Sequence, residues 1–205
     1  MSPRDALLRE LRHAIADERV LEAIAAVARE EFVSARERRS AYANRALAID
    51  CGQTISQPLV VGRMCELLEL RPSDRVLEIG TGSGYHAAVL AQLAAHVWSI
   101  ETHAELSRGA ARALERTGVG NVTLVVGDGS AGLAEAAPFD AICVTACAPP
   151  SALPALEAQL AAGGRLVAPV AGSGEERLVR SRSTSSGIVR EELEPVRFVP
   201  LVIPG

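Results

Sequence analysis

The feature that most constrains this chain is a glycine-rich stretch from Glu78 to Tyr85. Arg75–Ile79 is predicted to be a short buried strand, after which glycines alternate with small polar residues until a helix begins. Alternating glycines let the backbone turn tightly and let a ligand lie against it, and the first amides of the helix point towards that ligand. A dinucleotide-binding fingerprint requires glycine at the sixth position counted from Gly80. Because that position is Tyr85, this class of site is excluded.

The order Glu-x-Gly-x-Gly-x-Gly is instead typical of S-adenosylmethionine-dependent methyltransferases. It predicts that Gly80, Gly82 and Gly84 contact the cofactor, although such a turn can also be purely structural. Glu78 ends the strand beside the loop. It would fix either the amides of the loop or the ammonium group of the cofactor, and the sequence does not choose between these roles.

Short apolar strands alternate with helices through the middle of the chain. The predicted strands are 75–79, 96–100, 122–126, 140–145 and 165–170, and the predicted helices are 84–94, 104–117 and 151–161. This alternation indicates an α/β fold with right-handed crossovers: Rossmann-like, doubly wound, with a mainly parallel sheet.

Helical segments precede this region, and strands follow it. The predicted outer elements are helices at 5–16 and 17–30, a helix from Pro58 to about Leu70, and strands at 177–183, 188–194 and 196–202. The fold therefore gains N-terminal helices and an antiparallel C-terminal part. We expect one domain over 1–205, with a substrate-side segment at 1–58, a cofactor-binding core at 59–171 and antiparallel strands at 172–205.

Composition excludes several classes of function. The 205 residues carry a net charge of −4 without clustered arginines, and only 3% of them are aromatic, so a nucleic-acid partner is not expected. No apolar run is long enough to cross a membrane. The four cysteines and four histidines lack metal-ligand spacing, so no metal is expected. We expect a monomeric, cytoplasmic protein with reduced thiols.

Acidic residues end the next two strands of the predicted sheet. Glu101 is placed to accept hydrogen bonds from both ribose hydroxyls of a nucleoside, and a solvated acid that caps the following helix is the alternative. Asp128 and Gly129 follow the third strand, where a carboxylate can receive the amino group of adenine and a glycine leaves room for the ring. A simple Asp-Gly turn is the alternative there.

A second informative stretch lies upstream, at Gly52 to Pro58. Two hydroxyls, on Thr54 and Ser56, flank Ile55 just before the predicted start of a helix, a place that favours anions. Ser56 could equally be a helix cap, which is a common role for serine before a helix-starting proline. The residues alone leave both roles open.

Taken together, these stretches resemble the protein-L-isoaspartate O-methyltransferase family. The resemblance runs from about Val20 to Leu201 and rests on Gly-Gln-Thr-Ile-Ser-Gln-Pro, the glycine loop, Gly-Asp-Gly, Pro-Phe-Asp-Ala-Ile and Arg-Phe-Val-Pro-Leu. It implies a repair enzyme that transfers a methyl group from S-adenosylmethionine to the α-carboxylate of isoaspartyl residues in damaged proteins and peptides.

The same resemblance assigns roles to individual residues. It implies that Ser56 supplies the active-site hydroxyl. For the reaction so implied, we expect Thr54 to hold the substrate carboxylate together with Ser56, and the apolar segment 198–201, which includes Val199, to pair with an extended peptide. The implied cofactor contacts are Gln53, Thr54, Ile55, Ser56, Glu78, Gly80, Gly82, Gly84, Glu101, Asp128 and Gly129.

The chain departs from the family pattern at a few positions. Asn44 stands where an acid is usual, His86 where glutamine is common, and Cys147 in place of a small alanine. Two other functions remain open on the sequence. One is methylation of a different small carboxylate, and the other is a non-catalytic binding protein with the same fold.

Overall fold

The computed structural model describes residues 2–202. They form a seven-stranded sheet, a separate two-stranded ribbon of β1 (Leu47–Ala48) and β2 (Thr54–Ile55), and six α-helices. The strands of the large sheet are numbered β3 to β9 in chain order. Within this part of the chain, no helix is long and apolar enough to cross a membrane.

The large sheet has the strand order β5-β4-β3-β6-β7-β8-β9. Its strands are β3 (Arg75–Ile79), β4 (His96–Glu101), β5 (Val122–Val126), β6 (Phe139–Val144), β7 (Leu160–Ala171), β8 (Glu176–Thr184) and β9 (Gly187–Val196). The first five strands in this spatial order pair in parallel. β8 then pairs antiparallel with β7, and β9 pairs antiparallel with β8. The predicted mainly parallel sheet with an antiparallel C-terminal part is confirmed.

The helices lie on both faces of this sheet, as a doubly wound fold requires. They are α1 (Pro3–Leu11), α2 (Glu18–Ala26), α3 (Pro58–Leu68), α4 (Tyr85–Leu93), α5 (Ala104–Arg116) and α6 (Leu153–Glu157). One apolar core joins α1 to α5 to the sheet and includes Val76 and Cys143, while a second core packs α6 against the other face and includes Leu77 and Ile142. Neighbouring residues of one strand enter different cores because side chains alternate across a sheet.

The order of the strands reverses at β3. The chain runs from β3 outward through β4 to β5, then returns to the other side of β3 as β6 and continues to β7. In open α/β sheets the carboxyl ends of the strands at such a reversal leave a crevice in which ligands bind. This geometry places a candidate site beyond Ile79, Glu101 and Val144.

The N-terminal helices are shorter than predicted. α1 ends at Leu11 rather than at residue 16, and the amides of Ala16 and Asp17 bond to the carboxylate of Glu66. α2 ends at Ala26 rather than at residue 30, because the chain turns there into a short 3₁₀ segment, Arg29–Phe32. Asp17 caps the start of α2, since its carboxylate accepts from the amide of Arg19.

The predicted last strand at 196–202 is wrong. β9 continues to Val196, and the chain then leaves the sheet and crosses towards the carboxyl end of β6. It is held there by a single bridge between Cys147 and Pro200. The bonds of this bridge use the carbonyl of Val199 and the amide of Leu201, which flank Pro200, and within residues 2–202 they do not continue into a ladder.

The helix predicted at 151–161 is also shorter than expected. A 3₁₀ turn, Pro150–Ala152, leads into α6, which ends at Glu157. β7 then begins at Leu160, five residues before the predicted strand at 165, and is twelve residues long.

Candidate active site

A cleft opens where the strand order reverses. It encloses about 770 Å³ of empty space, its open mouth included. Its walls come from the segment before α3, the glycine loop, the ends of β4 and β6, and the C-terminal segment 199–202. The predicted site residues that line it are Gln53, Thr54, Ile55, Ser56, Gly80, Gly82, Glu101, Gly129 and Val199.

The glycine loop is tied to the ends of the neighbouring strands. The amide of Gly82 donates to Oε2 of Glu101 at 2.8 Å, and the amide of His103 donates to Oε1 of the same carboxylate at 2.9 Å. Glu101 is only 7% exposed and still lines the cleft. Each carboxylate oxygen can accept a second hydrogen bond, so Glu101 can hold the loop and the start of α5 and also receive a ligand hydroxyl.

Gly84 lies outside the lining residues and has a packing role. It is the N-cap of α4 with a φ of +86°, and a Cβ at this position would lie 2.9 Å from the Cβ of Ala110 on α5. A larger residue here would be strained and would also push α5 away. Gly84 itself has no side chain to cap the helix, and the amide of Tyr85 donates instead to the hydroxyl of Ser83 at 3.3 Å.

Glu78 does not line the cleft either. Its side chain is completely buried beneath the loop, where it accepts from the hydroxyl of Ser99, and Ser99 lies 2.6 Å from the hydroxyl of Thr81. Its other oxygen, Oε1, is buried with no hydrogen-bond partner among residues 2–202. Glu78 therefore reaches the loop through two hydroxyls rather than through loop amides.

Burial decides the charge of Glu78. Removal from water raises the pKa of Glu78 to about 8, an effect that the bond from Ser99 opposes and the nearby Glu101 reinforces. At neutral pH the side chain is mainly a neutral acid. A neutral acid is a poor partner for an ammonium group, so the geometry favours a loop-holding role.

Asp128 is exposed and turned onto its own loop. Its carboxylate accepts from the amide and the hydroxyl of Ser130 at 2.8 and 2.9 Å, the geometry of an Asx turn. Gly129 is buried and lines the cleft, and a Cβ there would lie 2.6 Å from the Cγ2 of Ile79. The glycine of this pair thus forms part of the wall of the cleft, whereas Asp128 lies just outside it.

The start of α3 is capped by a residue from another part of the chain. Gln57 is the N-cap and makes no side-chain cap bond, while Oδ1 of Asn44 accepts from the amide of Leu59 at 3.1 Å. The capping role considered for Ser56 is therefore wrong. Among residues 2–202, the hydroxyls of Thr54 and Ser56 have no hydrogen-bond partner, and both residues line the cleft.

The segment 199–202 closes one side of the cleft. The amide of Cys147 donates to the carbonyl of Val199, and the amide of Leu201 donates to the carbonyl of Cys147, each at 2.8 Å. The amide of Phe198 donates to Oε2 of Glu176 at 2.7 Å. These bonds anchor the segment beside Ser56 although it belongs to no strand.

Several lining residues were missed from the sequence. Thr145 and Ala146 follow β6 and could have been found by the same strand-end argument that found Glu101. His86 lines the cleft as well, with Nε2 at 3.4 Å from the sulfur of Cys65. Burial lowers the pKa of His86 to about 4, so its imidazole is neutral at physiological pH.

The cleft suits the methyl donor that the sequence predicts. A loop without side chains at Gly80 and Gly82, the start of α4 beside it and the acidic Glu101 match a cofactor with an amino-acid part and a ribose. Gly129 lines the same cleft, where a side chain in its place would collide with Ile79.

Comparison with known proteins gives the same family. Residues 2–203 match the profile of the family described as "Protein-L-isoaspartate(D-aspartate) O-methyltransferase (PCMT)". A protein-L-isoaspartate O-methyltransferase from Parvibaculum lavamentivorans is 52% identical over 194 residues, which cover 93% of this chain and 87% of the relative. One from Serratia proteamaculans is 52% identical over 197 residues, which cover 96% of this chain and 94% of the relative.

Solved structures support the fold. A structure of a protein-L-isoaspartate O-methyltransferase superposes with a TM-score of 0.85 at 29% identity, covering 96% of this chain and 65% of that one. A structure from Plasmodium falciparum, in complex with S-adenosyl-L-homocysteine, has a TM-score of 0.84 at 24% identity, and the match covers 98% of this chain and 99% of that one. With the whole described chain matched in sequence and in fold, this protein belongs to the protein-L-isoaspartate O-methyltransferase family.

Proposed function

We propose that the protein transfers a methyl group from S-adenosylmethionine to the α-carboxylate of L-isoaspartyl residues in damaged proteins and peptides, and that Ser56 positions this carboxylate. The observation that carries the proposal is the pair of unpartnered hydroxyls on Thr54 and Ser56, which face a cleft that also contains the glycine loop and Glu101. The names of the relatives and the family match support the reaction.

The chemistry requires alignment rather than a base. An isoaspartyl carboxylate is already ionised at neutral pH, so nothing needs to remove a proton from it. S-adenosylmethionine, when bound, supplies an electrophilic methyl group on its sulfonium. Holding a nucleophile in line with such a group can account for about 7–11 kcal/mol of a barrier.

Thr54 and Ser56 have the properties that this alignment requires. Both hydroxyls are free to donate, and Ile55 between them is buried, so the backbone that carries them is fixed. They precede α3, whose first turn adds a partial positive charge. Two donors beside a helix start orient a carboxylate without taking up its reactive lone pair.

The segment 199–202 offers a place for the peptide that carries the carboxylate. The carbonyl of Val199 and the amide of Leu201 bond to Cys147, so the carbonyl of Pro200 and the amide and carbonyl of Val202 point the other way. An extended peptide could bond to these groups, with its isoaspartyl side towards Ser56. Main-chain pairing tolerates many sequences, which suits a repair enzyme.

The experiment is steady-state methylation of an isoaspartyl peptide by Ser56→Ala and Thr54→Val. If Ser56 aligns the carboxylate, Ser56→Ala lowers kcat by about tenfold or more while donor affinity is retained. Because Ser56 is not a cap, the stability of this variant should change by less than about 0.5 kcal/mol. Ser40→Ala, which removes a hydroxyl outside the cleft, is the control. An unimpaired Ser56→Ala would refute the positioning role.

We further propose that a single domain carries both the donor site and the substrate site, and that the protein works as a monomer in the cytoplasm. The cysteines support this setting. All four are free thiols, and Cys65, Cys143 and Cys147 are buried. A reducing compartment keeps such thiols unpaired.

A further inference from the structure

A buried arginine lies directly behind the wall of the cleft. Arg29 is 0% exposed, and its Nε donates to the carbonyl of Ala41 at 2.8 Å, while its Nη2 donates to the carbonyl of Ser56 at 2.7 Å. The guanidinium carbon lies 4.5 Å from the centre of the Tyr85 ring. Ser56 and Tyr85 both line the cleft, and Arg29 does not.

The charge on Arg29 lacks an anionic partner. No carboxylate within residues 2–202 lies at ion-pair distance from this guanidinium, and its Nη1 is buried without a hydrogen-bond partner. The carbonyls of Ala41 and Ser56 and the face of the Tyr85 ring stabilise the positive charge in part. A buried cation without a counter-ion is costly, so its surroundings should favour an anion.

The cleft offers a place for such an anion, because Ser56 and Tyr85, which Arg29 contacts, both line it. Through its hydrogen bond to the Ser56 carbonyl, the guanidinium contacts the same residue whose hydroxyl we propose to bind the substrate. Charges act over several ångströms in a poorly solvated site, so contact is not required. The arginine also holds the backbone of Ser56 in place.

We propose that Arg29 is a positioning and charge-complementing residue for the substrate: it fixes the Ser56 segment and makes the cleft selective for a free carboxylate over a neutral group. This inference rests on the proposed function and adds a residue to it. The opposing interpretation is that Arg29 only braces the fold by joining the turn at Ala41 to the segment before α3.

The test asks whether the preference for a charged ligand over a neutral one depends on the charge of residue 29. Two peptides are compared, one with an isoaspartyl residue and one with the same residue as its α-carboxamide, which has nearly the same shape and no charge. Their dissociation constants are measured by calorimetry in the presence of S-adenosylhomocysteine, so that no methyl transfer occurs. The measured quantity is the ratio of the carboxamide constant to the carboxylate constant.

We expect the wild type to prefer the carboxylate about tenfold or more, and Arg29→Met to lose most of that preference. Arg29→Lys, which keeps the charge, should retain most of it. Arg63→Met is the matched control, because it makes the same change of net charge on α3, where Arg63 pairs with Glu66 and Glu194. Its ratio should equal that of the wild type.

A structural brace would give a different result. Removing it would weaken the binding of both peptides alike, so an unchanged ratio in Arg29→Met would overturn the inference. If that variant does not fold, Arg29→Gln, which can still donate to one carbonyl, carries the same measurement. A wild-type ratio near one overturns the inference whatever the variants do. Failure of the proposed function would appear separately, as an absence of methyl transfer by the wild type.

Discussion

Replacing Glu78 by glutamine should make the protein more stable, increasingly so as the pH rises. The acid has its pKa raised by burial from 4.5 to about 8, so the folded protein holds a proton that the unfolded chain releases. Between these two values, the unfolded state binds fewer protons, and the stability contributed by Glu78 therefore falls as the pH rises. Glutamine fills the same space, stays neutral and does not titrate.

The size of the effect follows from the linkage relation. Each pH unit between the two pKa values costs the wild type about 1.4 kcal/mol relative to Glu78→Gln. From pH 5 to pH 7.5 the difference in the free energy of unfolding between the two proteins should grow by about 3 kcal/mol. Urea denaturation of both proteins across this range measures it.

A matched control is Glu69→Gln. Glu69 is half exposed and bonds to Arg182, which holds the pKa of Glu69 below its usual value, so its titration lies below this pH range. Its difference from the wild type should stay constant from pH 5 to pH 7.5. A constant difference for Glu78→Gln as well would show that Glu78 is ionised in the folded protein and would refute the reasoning.

Three further substitutions test separate contacts. Glu101→Ala should weaken binding of S-adenosylmethionine by about 1–3 kcal/mol in calorimetry, and unchanged affinity would contradict the ribose role. Arg165→Met removes the ion-pair partner that lies 2.9 Å from the buried carboxylate of Asp74, so urea denaturation should show a free energy of unfolding lower by about 3–5 kcal/mol. An unchanged free energy would contradict a stabilising role for this pair. Asn44→Ala removes the cap of α3 and should lower the free energy of unfolding by about 1 kcal/mol. An unchanged free energy of unfolding would show that Asn44 is not the cap.

The strands and the cleft could be predicted because their signals are local. Arg75–Ile79 was predicted with its observed bounds, since an apolar run that leads directly into a glycine turn is typical of a buried strand. The strand-end rule then placed Glu101 and Gly129 at the cleft. These inferences need only the pattern of apolar residues along the chain and the handedness of the crossovers between parallel strands.

The errors arose where distant residues decide the structure. The residues around Ser56 leave a capping role open, but the cap comes from Asn44, whose approach no pattern around α3 reveals. The role of Arg29 depends on two carbonyls elsewhere in the chain. The apolar run from Val196 has the composition of a strand, yet it leaves the sheet and closes one side of the cleft, where its only β-bridge within residues 2–202 is to Cys147.

The most direct test of the central claim is methyl transfer by the wild-type protein to two peptides that differ only in one linkage. One contains an L-isoaspartyl residue, and the other contains a normal aspartyl residue in the same sequence. Labelled S-adenosylmethionine is the donor, and the incorporated label is counted under identical conditions. We expect label in the isoaspartyl peptide and none above background in the aspartyl peptide, and equal incorporation into both would contradict the assignment.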